Sequence, residues 1–65
     1  MSPYYVTVEG SVDGSWKTNG YSVQASSSRV AANRGIKLFY RSHGLPEDSN
    51  RIQNMNISVQ FGPRV

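Results

Sequence analysis

The stretch YYVTVEGSVDGSWKTNGYSVQ, residues 4–24, contains two dipeptides that can each close a β-hairpin, Asp13-Gly14 and Asn19-Gly20. Tyr4 to Val8 is dense in aromatic and β-branched residues and is the most strand-like segment of the chain. A two-residue turn at Asp13-Gly14 sets Val12 opposite Ser15, Val8 opposite Asn19, Val6 opposite Tyr21 and Tyr4 opposite Val23. Residues directly opposite share a face, so Tyr4, Val6, Tyr21 and Val23 become one apolar surface. A turn at Asn19-Gly20 centres the hairpin on VDGSWKT and leaves Tyr4 to Val8 outside it. Asp13-Gly14 is therefore the expected turn, and Asn19-Gly20 marks a bulge or a close approach.

Downstream, SSSRVAANRGIKLFYRSHG (residues 26–44) has the signals of a helix. A serine among residues 26–28 can accept from the free amides of the first turn, Gly44 can take the left-handed conformation that closes a helix, and Pro46 prevents continuation. At about 100° per residue, Ala31, Ala32, Gly35, Leu38 and Phe39 fall on one side, with small residues allowing close approach to a sheet. After a polar loop able to hold a short helical turn, Met55, Ile57, Val59 and Phe61 alternate with Asn56, Ser58 and Gln60 as a half-buried strand. The order is ββαβ. A helical crossover brings the last strand antiparallel to the first, giving an α+β domain with a three-stranded antiparallel sheet of order 2-1-3 and one helix on one face.

Length and composition narrow the function. Residues 1–65 make a single domain, and a chain this short buries only about 60% of its unfolded surface. It has no cysteine, which removes disulfides and cysteine-based zinc sites and fits a reducing compartment. No basic-then-apolar leader and no run of about 18 apolar residues occurs, so a cytoplasmic protein without membrane contact is expected. Asn56 to Ser58 matches a glycosylation acceptor but carries no weight without a secretion signal.

Catalytic and metal chemistry find little support. His43 is the only histidine; it sits where the helix ends, next to Ser42 and close in sequence to Glu47 and Asp48. Adjacency does not supply nucleophile geometry, and one histidine with two carboxylates is a poor metal site. GSWKTNG lacks the residue order and following helix of a phosphate loop. No enzyme, no cofactor and no metal are expected.

Two surfaces are candidates for binding. The net charge of +3 is modest, but no acidic residue lies between Asp13 and Glu47. Arg34, Lys37 and Arg41 fall within roughly 60° on the helix, with Arg29 at the edge of that arc, and no i,i+4 carboxylate partners them. Such a ridge docks on phosphates or acidic side chains, or simply keeps a small protein soluble. The sheet face away from the helix carries Tyr5 and Trp16 among hydroxyls and amides, a composition suited to protein binding or base stacking, or to a solvated outer face. No RNP1-like pattern, zinc finger or helix-turn-helix is present.

The VDGS hairpin, the run YSVQASSSRVAANRGIKLF from strand into helix, and the final strand together resemble the minimal accessory proteins of phages and other mobile elements. Several anti-CRISPR proteins share this build of hairpin, helix and further strand. The resemblance implies an inhibitor or adaptor that occupies a protein or guide-backbone surface of a nucleoprotein complex. It transfers no site residues. Direct contact with DNA or RNA phosphates is the alternative expectation. Strands 2 and 3 are both sheet edges and NISVQF is uncharged, which leaves monomer and homodimer both open.

Overall fold

The computed structural model describes residues 1–46 and 50–62. Strands β1 (Ser2–Val12) and β2 (Ser15–Ala25) form a hairpin, helix α1 (Ser28–Ser42) crosses the sheet, and β3 (Ile52–Phe61) returns beside β1. All pairings are antiparallel and the sheet order is β2-β1-β3, as the sequence predicts.

The hairpin register matches the sequence expectation pair for pair, from Val12 opposite Ser15 to Tyr4 opposite Val23. Asp13 and Gly14 have φ of 52° and 85°. Positive φ at both positions is what a two-residue turn needs to match the twist of the strands it joins. Arg51 clamps this tip. Its backbone carbonyl accepts from Asp13 N at 3.2 Å, its Nε donates to Asp13 Oδ1 at 2.9 Å, and its Nη2 pairs with Oδ2. The guanidinium hydrogen bond holds the exposed Asp13 carboxyl below its ordinary value of 3.8, and Asp13 raises Arg51 in turn.

Asn19-Gly20 proves to be a close approach and not a bulge, because β1 and β2 pair without interruption. The Tyr5 ring lies across Gly20, and a Cβ there would overlap the Tyr5 hydroxyl. The bulge lies in β3, where Asn54 has φ of 56° and the register with β1 shifts between Glu9 and Ser11.

Both ends of α1 are closed by side chains and backbone. Ser27 Oγ accepts from Val30 N at 3.3 Å as the N-cap. At the other end Gly44 (φ 67°) donates to Arg41 O at 3.1 Å and Leu45 N to Tyr40 O at 2.9 Å. This pair of bonds satisfies carbonyls that the helix leaves open, and Leu45 is buried beside it.

The core lies between α1 and the first two strands. Ala31, Gly35 and Phe39 are buried against Val6, Val8, Val12 and Ala25. Gly35 sits directly on Val6, whose Cβ is 3.0 Å from where a Gly35 Cβ would stand. Leu38 departs from expectation. It is only half-buried and lines a shallow hollow with Val23, Gln24, Arg34 and Lys37 on the β2 flank of the helix. Because α1 packs most on β1 and β2, β3 overhangs. Phe61 is 71% exposed and Ile57 40%, so β3 is less buried than its alternation suggests. The expected helical turn in the loop before β3 falls partly on residues 47–49, outside the described residues.

Candidate functional site

The outer face of α1 is built by subtraction. Packing consumes one side of the helix, and what remains carries Arg29, Arg34, Lys37 and Arg41, all exposed. The first turn of α1 has no acidic residue, and among the described residues the only ion pair joins Arg51 to Asp13.

The four cations are not equivalent. Arg34 Nη1 donates to the Gln24 carbonyl at 2.7 Å. In a two-residue hairpin with Val12 opposite Ser15, the odd residues of β2 turn their backbone groups toward β1 and the even ones outward. Gln24 is therefore an open-edge acceptor, and Arg34 caps it. Lys37 and Arg41 have no such duty. Lys37 stands between two shallow hollows. One is lined by Val23, Gln24, Arg34 and Leu38, the other by Asn33, Ile36 and Tyr40. Each sets apolar surface beside a cation, which suits a segment that presents an acidic group next to an apolar side chain.

On the opposite sheet face, Tyr5 and Trp16 do not come together. Trp16 pairs across from Ser11, six positions along β1 from Tyr5, or about 20 Å at the rise of a strand. Tyr5 is half-buried over Gly20, while Trp16 is about half exposed. The two aromatics therefore make no common stacking platform. Between them the face is polar, with Thr18 Oγ1 donating to Glu9 Oε2 at 3.4 Å.

His43 caps α1 through its backbone, and its ring is fixed structurally. The ring meets Phe39 edge-on at 4.6 Å, and Nε2 donates to Asn19 Oδ1 at 3.1 Å. Tyr21 OH donates to Ser42 Oγ at 3.1 Å. These bonds tie the C-terminal end of α1 to β2 and occupy the His43 and Ser42 side chains. Glu47 and Asp48, the carboxylates considered with His43, lie outside the described residues. Among the described residues no three His, Asp or Glu side chains converge as a metal site would require. No helix among them is long and apolar enough to cross a membrane.

The fold and surface define a small α+β domain with a cationic helix face. No protein-family model matches the chain, and neither a curated protein nor a solved structure matches it.

Proposed function

We propose that this protein is a small non-enzymatic binding protein, an inhibitor or adaptor that docks on a protein or nucleoprotein complex through the outer face of α1. One observation carries the reading: Lys37 and Arg41 are exposed, make no side-chain hydrogen bond or ion pair among the described residues, and stand on a helix with no carboxylate. Arg29 extends the cationic surface and Arg34 borders it. In the anti-CRISPR-like form of this reading, the partner offers acidic side chains or guide-RNA phosphates, and guanidinium groups pair with either.

Direct binding of DNA or RNA is the second reading, favoured by the absence of any acidic residue from residue 14 to residue 46. A helix seated on a sheet through Ala31 and Gly35 exposes only its outer side, so phosphate contacts would dominate over base reading. Titration of random-sequence duplex DNA and single-stranded RNA across a salt series separates the two. A direct binder shows micromolar or tighter affinity whose logarithm falls against log salt with a slope of about one per phosphate neutralised. Docking on the acidic side chains of a protein expects no binding to either at low salt. It also expects a partner retained from host extract that is lost on Lys37→Glu/Arg41→Glu.

A further inference from the structure

The two edges of the sheet differ in how they meet solvent. The β2 edge is guarded: Arg34 caps its Gln24 carbonyl, and Lys17 puts a charge on the strand. Among the described residues the β3 edge has neither device. From Ile52 to Phe61 the strand contains no charged residue and no proline, the residues that ordinarily discourage strand pairing.

Its backbone polarity follows from one bond. Gly62 N donates to Pro3 O at 2.9 Å, so Gly62 faces β1. By alternation Gln60, Ser58 and Asn56 also face β1, and the amides and carbonyls of Phe61, Val59, Ile57 and Met55 point to the open edge. The side chains of these same four residues lie on the helix side of the sheet. There α1 does not reach Phe61 or Ile57, which remain 71% and 40% exposed. The Asn54 bulge limits regular pairing to Met55–Phe61.

We propose that this edge pairs with the same edge of a second copy of the chain, antiparallel about a two-fold axis at Ser58. The sequence MNISVQF is self-complementary in that register. Met55 meets Phe61, Asn56 meets Gln60, Ile57 meets Val59, and Ser58 meets Ser58. Every outward amide and carbonyl of the segment finds a partner, and each exposed apolar side chain gains an apolar neighbour. Thioether against aromatic ring is itself a favourable contact. The seam carries no like charges although each copy is net positive.

The product is a six-stranded sheet of order β2-β1-β3-β3-β1-β2. A two-fold axis normal to the sheet puts both copies of α1 on one side. With each helix lying over β1 and touching the strands on both sides, their axes stand about 15–20 Å apart at ordinary strand spacing, against a helix diameter of about 10 Å. The dimer thus presents two cationic helix faces on one surface.

The seam is short. Seven residues at about 3.4 Å each, taken about 15 Å across, bury roughly 360 Å² per copy. That is about half the roughly 800 Å² per partner of a stable complex, so a reversible dimer of micromolar affinity is expected.

Sedimentation equilibrium of the full chain alone, from about 1 µM to about 1 mM, should show monomer and dimer exchanging within that range. Ser58→Lys places two ammonium groups across the axis on an exposed position and should weaken association about tenfold or more, with an unchanged circular dichroism spectrum. In a chain without cysteine, Ser58→Cys should become disulfide-linked under oxidised glutathione. Residues opposite in a non-hydrogen-bonded pair stand about 4.5 Å apart at Cα, within disulfide range. Thr18→Cys on the guarded edge should stay unlinked. A monomer throughout the range overturns the proposal and leaves the edge to a strand from another protein. A dimer that Ser58→Lys does not weaken, or that Ser58→Cys does not link, overturns it as well. None of these outcomes bears on the cationic face, because no other partner is present.

Discussion

The two sides of α1 answer to different constraints. On the inner side Ala31, Gly35 and Phe39 are buried, and their sizes are set by Val6 and Val8 beneath them. On the outer side Lys37 and Arg41 make no side-chain hydrogen bond or ion pair among the described residues. A helix exposed to water tolerates many residues there, including the carboxylates that would pair with those cations. The inner side therefore explains why the segment is a helix at this place, and the outer side carries the surface proposed for a partner.

That contrast can be broken first from the inside. Phe39→Ala removes the largest fully buried side chain and should cost about 3–5 kcal/mol, most of the stability of so small a domain. Denaturant unfolding measures it. Gly35→Ala comes next. A helical alanine is favoured over glycine by about 1 kcal/mol, but here its Cβ runs into Val6, including the Val6 Cβ that the backbone holds in place. Overpacking of about 1–3 kcal/mol should win, and Val6→Ala in the same chain should recover the loss. If Gly35→Ala is stabilising on its own, the helix is not seated on Val6. Gly44→Ala should cost about 1 kcal/mol, since alanine resists the left-handed conformation.

A smaller effect depends on pH. The Arg51 guanidinium depresses the folded-state value of Asp13, so this pair contributes stability above the ordinary value of 3.8 and loses it as pH falls through the folded value. Melting temperature followed down to about pH 2 should fall less steeply in Asp13→Asn, which removes the charge and tolerates positive φ. Parallel curves for the two proteins would mean that the clamp is not felt in solution. The smallest effect is expected outside the core. Lys37→Glu/Arg41→Glu should leave the melting temperature within about 4 °C of the parent.

Much of this was legible in the residues themselves. The choice between Asp13-Gly14 and Asn19-Gly20 followed from period-two patterning, which a one-residue slip would invert. Ser27 and Gly44 closed the helix where local chemistry put them. What was hidden depended on how elements sit over one another. Leu38 and Phe61 are apolar at the right period, yet the placement of α1 over β1 and β2 leaves both at the margin. The separation of Tyr5 and Trp16 could have been read from the register, which already set Trp16 beside Ser11. The Arg34 bond to Gln24 had a partial signal too, since hairpin parity turns the Gln24 carbonyl outward. Only the tertiary position of α1 brings an arginine to it.

The central claim is that the outer cations of α1 exist for a partner and not for the fold. Its most direct test is retention of partners from extract of the natural host by the parent protein and by Lys37→Glu/Arg41→Glu. The two are compared at equal concentration and with matched melting curves. The account expects a salt-sensitive partner on the parent that is absent from the double variant. The same partner retained by both would contradict it and move the functional surface off the helix.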